Sequence, residues 1–299
     1  MDARKTWLWT AMVTPFTADG SAVDYASFGK ILKMQEAAGN GILILGSTGE
    51  SLSLSEEEKQ EIVRYTFSLG LKVPVMVGTP NANMAQTLAW LDFCRGKGAH
   101  AYLAATPLYT KPAAQGQIGW FRKLFDAADA QVMLYNVPGR TGAALNPAVL
   151  SDLRAHKNFW AVKESSGGLD AYASFADAAP DAALYCGDDN MLASATPLGA
   201  CGLVSVVGNA WPEACRAYVE ACRAGRYRGQ IWWNASKAMF TTTSPVPVKA
   251  LMHDLGMIAS GAVRLPLSRN DLASLDQVRA AHQAVAQWHG ALASESVAA

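Results

Sequence analysis

The sequence has no C-x-x-C pair, and its five cysteines, Cys94, Cys186, Cys201, Cys215 and Cys222, are odd in number. That speaks against a disulfide framework and for reduced thiols, hence an expected cytoplasmic setting. Neither sign of charge is in excess: Lys plus Arg and Asp plus Glu stand at 25 each, and the formal net charge is zero. Without a basic or acidic field, neither nucleic acid nor a membrane surface is the expected partner, and a small molecule is. No apolar run reaches the ~18 residues of a membrane span. The opening MDARKTWLWTAMVTPF joins a basic start to a short apolar run. Pro15 and polar TADGS follow it in place of a small-residue cleavage pattern, so the run is expected to be a first strand. A dinucleotide fingerprint and a P-loop are both missing, the turn after the second apolar run reading GSTGES. His100, His156, His253, His282 and His289 are scattered without metal-ligand spacing. The expected chemistry therefore uses no metal and no cofactor.

What is present is apolar material in a regular order. Hydrophobic residues make up 51% of the 299 positions. Eight short β-rich runs recur: residues 9–16, 41–48, 74–79, 99–106, 131–138, 159–165, 182–187 and 202–209. They are mostly continuous rather than alternating, as in a parallel sheet covered on both faces. Helical stretches lie between them; in SEEEKQEIVRYTFSLG, Ser55 and Glu58 form a capping box and Gly70 stands at the exit. Strands alternating with helices admit a closed barrel or an open doubly wound sheet, and the count of eight favours the barrel. The expected fold is α/β, a (β/α)8 TIM barrel over residues 1–224 with an appended C-terminal helical domain over 225–299. In that domain RYRGQIWWNASKAMF, PVKALMHDLGM and DLASLDQVRAAHQAVAQWHGAL read as helices, and SESVAA as a frayed polar end. Trp7, Trp9, Trp232 and Trp233 suit either core positions or interface anchors.

In a barrel the reactive groups sit at the C-terminal ends of the strands. In FWAVKESSG, Lys163 follows a buried-looking run. Desolvation there disfavours the ammonium and exposes a free amine to a ketone, while pairing with Glu164, Asp188 or Asp189 is the structural alternative. Gly46 to Glu50, GSTGE, offers backbone N–H groups and two hydroxyls to a carboxylate, or forms a plain tight turn. In YNVPGRTG, Tyr135 suits a proton relay and Arg140 a carboxylate fork, against a buried tyrosine and a solvated arginine. One amine, two anion-recognising groups and a hydroxyl relay fit condensation or cleavage of a 2-keto acid.

The ordered set WTAMVTPF, GSTGES, TPLYTKP, YNVPGRTG, KESSG, CGDD, GLVSVVGN, SPVPVKALMHDLGM and VRLPL resembles the dihydrodipicolinate synthase and N-acetylneuraminate lyase superfamily nearly end to end. The resemblance implies a Schiff base between pyruvate and Lys163, with Tyr135 as proton relay, Ser47 as the hydroxyl joined to it, and Thr48 on the pyruvate carboxylate. It places Tyr109 across a subunit contact in the neighbouring site, implying a homo-oligomer, a dimer or a dimer of dimers. It sets Gly187 and Val204 at backbone positions lining the pyruvate pocket. Arg140 stands where the synthase branch holds L-aspartate 4-semialdehyde. The implied activity is condensation of pyruvate with that aldehyde to 4-hydroxy-tetrahydrodipicolinate, on the lysine and diaminopimelate route. An N-acetylneuraminate lyase-like or 2-keto-3-deoxy sugar-acid aldolase is the alternative, followed by a catalytically silent keto-acid-binding barrel. Three positions depart from the synthase pattern: Ser47 replaces a threonine, Leu108 replaces a tyrosine before Tyr109, and Glu56, Lys59, Ala82 and Gln86 stand where lysine-inhibited members have two histidines, an asparagine and a glutamate. Weak or absent inhibition by L-lysine is therefore expected.

Overall fold

The computed structural model describes residues 2–79, 82–227 and 230–297. Its centre is a closed parallel barrel of Leu8–Ala11 (β1), Gly41–Ile44 (β2), Val75–Gly78 (β3), Ala101–Ala105 (β4), Gln131–Asn136 (β5), Phe159–Glu164 (β6), Ala183–Cys186 (β7) and Ala200–Ser205 (β8). β8 pairs back onto β1 through Val204 and Trp9. Each expected run overlaps one strand, but the strands are shorter than the runs, and β1 and β8 begin one and two residues ahead of theirs. Past Ala11, for example, Met12, Val13 and Phe16 stay buried outside the ladder. There the Val13 N–H donates to Asn209 Oδ1 and Lys249 packs on Phe16, so the apolar run reports burial and not strand length.

Around the barrel run Tyr25–Ala37 (α1), Glu56–Ser68 (α2), Met84–Cys94 (α3), Ala114–Ala127 (α4), Pro138–Thr141 (α5), Pro147–Leu153 (α6), Asp170–Ala178 (α7), Leu192–Ala195 (α8) and Pro212–Arg223 (α9). The capping box opens α2: Ser55 Oγ accepts the Glu58 N–H and Glu58 Oε2 accepts the Ser55 N–H. Such a cap stabilises a helix start by about 1 kcal/mol.

Two apolar clusters fill the fold, one between barrel and helices and one inside the barrel. Inside, Trp9 and Trp160 rings lie 6.0 Å apart, and Tyr185 meets Trp160 edge-on at 5.6 Å. Gly41 makes room for this, because a Cβ there would stand 2.7 Å from the Trp9 ring. The aromatic plug leaves the C-terminal ends of the strands as the place for a site.

Beyond α9 come Ile231–Ala238 (α10), Val246–Asp254 (α11) and Asp276–Val297 (α12). Trp232 is buried core and its Nε1 donates to the Asp189 carbonyl just past β7. Trp9 is core as well, Trp7 lies under the Arg223 guanidinium, and Trp233 is partly exposed. α12 runs four residues into the segment expected to fray, since no Gly or Pro stands there to stop it; residues 298 and 299 lie outside the described residues.

Candidate active site

Lys163 on β6 stands in register with Tyr135 on β5 and Tyr185 on β7. Parallel neighbours in register point to the same side, so the amine and the phenol share the barrel interior. Lys163 is 4% exposed and Tyr135 8%. Lys163 Nζ lies 4.3 Å from the centre of the Tyr135 ring. Gly187 acts through what it lacks: a Cβ there would meet Lys163 Cε at 2.6 Å and Ser165 Oγ at 1.9 Å. The lysine stem thus lies directly against the backbone that follows β7.

The ion pair that the sequence leaves open is not made among the described residues. Each nearby carboxylate is engaged elsewhere. Glu164 takes the Asn136 amide and the Ser166 N–H, both at 2.6 Å. Asp188 takes the Gly167 N–H at 3.2 Å. Asp189 takes the Ser205 hydroxyl and the N–H groups of Val206 and Val207. Burial pushes Asp189 up to about 6 against these donors and the Lys163 charge, and burial also raises Asp188 above the usual carboxylate range. The amine is left with no bonded partner among the described residues, which suits a group that must meet a substrate.

A cavity of about 910 Å³ opens at this end of the barrel, with Ser47, Thr79, Thr106, Tyr109, Tyr135 and Arg140 among its walls. Ser47, Thr48 and Gly49 form a 3-10 turn after β2, with Thr48 buried and Ser47 half-buried. Ser47 and Tyr135 share the cavity, yet among the described residues no hydrogen bond joins their hydroxyls. Arg140 lies on α5 with its side chain exposed. Tyr109 is 92% exposed in a left-handed backbone conformation, φ +67°, and its N–H donates to the Thr141 carbonyl at 3.1 Å. That bond ties the Tyr109 loop to the helix carrying Arg140. Thr48, Lys163, Gly187 and Val204 are not in the cavity wall, and Val204 is fully buried in the barrel interior against β1. The structure therefore brings Ser47, Tyr109, Tyr135 and Arg140 to one cavity, with the Lys163 amine behind that wall, against the Tyr135 ring.

One hydroxyl escaped the sequence reading. Ser165 Oγ is buried without a hydrogen-bond partner among the described residues, beside the Lys163 stem. Its signal was the spacing of two from Lys163, which at a strand end puts both side chains on one face.

The model of the dihydrodipicolinate synthetase family matches residues 5–285. The chain belongs to that family. It is 45% identical over 286 residues to the 4-hydroxy-tetrahydrodipicolinate synthase of Wolbachia pipientis wMel, covering 95% of this chain and 98% of that one. Among solved structures, the synthase from Cyanidioschyzon merolae with lysine bound aligns with a TM-score of 0.88 at 30% identity, over 95% of this chain and 99% of that one. The chloride-inhibited synthase from Acinetobacter baumannii complexed with pyruvate aligns with a TM-score of 0.87 at 28% identity, over 94% and 99%. The closed barrel and the family expected from the sequence are both observed.

Proposed function

We propose that this chain condenses pyruvate with L-aspartate 4-semialdehyde to give 4-hydroxy-tetrahydrodipicolinate, with Lys163 as the covalent nucleophile. The observation that carries the reading is the Lys163 amine: buried at the C-terminal end of β6, against Tyr135, with every neighbouring carboxylate engaged elsewhere. Its lone pair attacks the pyruvate ketone, and the resulting carbinolamine loses water to form an imine. Loss of a methyl proton gives an enamine, whose carbon adds to the aldehyde while the new alkoxide takes a proton. The amino group of the semialdehyde then attacks the imine carbon, closes the ring and expels Lys163. One water is released per turnover.

Tyr135, Ser47 and Tyr109 move the protons in this scheme, and the approach of substrate supplies the bridge absent between the Ser47 and Tyr135 hydroxyls. Thr48 and the backbone of its turn take the pyruvate carboxylate. Gly187 and Val204 shape the pyruvate end of the pocket. Arg140, exposed on the cavity wall, takes the carboxylate of the semialdehyde. Tyr109 lines the cavity of its own chain but is 92% exposed, and in this reading it serves the site of a partner copy, so that the working unit is at least a dimer. A cytoplasmic setting belongs to the same reading, supported by five unpaired cysteines.

One observation favours a second reading. The Ser165 hydroxyl beside Lys163, without a partner among the described residues, is a ready partner for a hydroxylated substrate, as in a sugar-acid aldolase of the same superfamily. A coupled assay decides: pyruvate and L-aspartate semialdehyde are followed by reductase-dependent NADPH oxidation, with N-acetylneuraminate and 2-keto-3-deoxygluconate cleavage run in parallel. Coupled turnover with inert sugar acids is expected. Cleavage of a sugar acid alone would retain Lys163 and overturn the role of Arg140.

A further inference from the structure

Glu50 closes the turn that carries Ser47 and Thr48. In the structure its side chain is 1% exposed and its backbone is left-handed, φ +53°. Oε1 accepts from Lys249 Nζ at 2.8 Å and Oε2 from the Arg264 backbone N–H at 2.8 Å. Lys249 lies on α11, outside the barrel, with its side chain 0% exposed. Its Nζ also donates to the Thr14 carbonyl at 2.9 Å and stands 4.2 Å from the Phe16 ring centre. Thr14 Oγ1 in turn donates to the Gly49 carbonyl at 2.7 Å. A single ammonium therefore fastens the chain after β1 and the end of the turn after β2 to a C-terminal helix. The Arg264 side chain extends the clamp by forking onto both carboxylate oxygens of Glu58 in α2.

Burying both charges incurs a desolvation cost that an apolar pair would avoid, and the left-handed Glu50 adds backbone strain. Both costs fall on the turn whose Ser47 lines the cavity, with Thr48 buried next to it. We infer that Glu50 and Lys249 are positioning residues for keto-acid recognition, setting the Ser47–Thr48 turn from helix α11. The inference rests on the reading above that this turn takes the pyruvate carboxylate.

The test is steady-state kinetics with melting curves on Glu50→Gln, Lys249→Met and the double variant, beside Ser47→Ala, Thr48→Ala and the core control Val285→Ala in α12. Glu50→Gln keeps the shape of the side chain and an oxygen acceptor, so it carries the test should Lys249→Met fail to fold. Expected is a pyruvate KM raised about ten-fold in Glu50→Gln, with kcat within about three-fold and the semialdehyde KM unchanged. The double variant melts above Lys249→Met, because no unpaired charge stays buried, yet keeps the raised KM. Val285→Ala melts lower with unchanged KM. A wild-type pyruvate KM in Glu50→Gln, beside a raised KM in the Ser47 and Thr48 variants, overturns the positioning role alone. An unchanged KM in both hydroxyl variants overturns the carboxylate reading itself.

Discussion

Two tyrosines assigned to the same proton traffic sit in opposite surroundings. Tyr135 is 8% exposed, locked in the β5 ladder opposite Lys163, with the lysine amine over its ring. Tyr109 is 92% exposed on a loop, in a left-handed conformation that costs a residue with a Cβ on the order of 1 kcal/mol. The first is placed by its own chain. The second is held out at a strained backbone position with most of its surface in solvent at the rim of the cavity, and the proposed function gives it to the site of another copy. On the proposed function, the difference separates a site residue that a monomer completes from one that a partner copy supplies.

The comparison is sharpest against Lys163. Lys163→Ala is expected to lower kcat by at least about 10,000-fold, as for a missing covalent nucleophile, with the fold intact by circular dichroism. Tyr135→Phe is expected to lower kcat by about 100-fold while borohydride still traps a pyruvate adduct, since the amine remains. Arg140→Ala should raise the semialdehyde KM by tens-fold, roughly the loss of one charge-assisted fork, and leave pyruvate trapping unchanged.

Tyr109→Phe should lower kcat by about ten-fold, and subunit mixing separates it from Tyr135. In a shared-site dimer, Lys163→Ala mixed one to one with Tyr109→Phe rebuilds one intact site in each heterodimer, about a quarter of wild-type activity. Lys163→Ala mixed with Tyr135→Phe rebuilds none. Equal behaviour of the two mixtures would break the distinction. The smallest effect is the response to L-lysine: at millimolar concentration, initial rates should fall by less than about two-fold, because Lys59 already pairs with Glu56 in place of an open histidine pair.

The barrel was legible because both faces of a parallel sheet must be apolar, so eight buried runs stand out from the chain. Their ends were not, because burial continues past the ladder wherever a side chain such as Asn209 takes over the backbone hydrogen bonds. Lys163 was legible as a cation ending a buried run, and its freedom from an ion pair was not, since that depends on Asn136, Ser205 and Gly167 occupying three separate carboxylates. Glu50 and Lys249 were the hardest to see. Each has an ordinary local reading, as a turn acid and a helix lysine, and only folding brings the two together across 199 positions.

The account stands most directly on the identity of the nucleophile. Borohydride reduction in the presence of pyruvate, followed by intact mass and peptide mapping, is predicted to give a single adduct on the peptide containing Lys163. No adduct, or an adduct on another lysine such as Lys249, would contradict it.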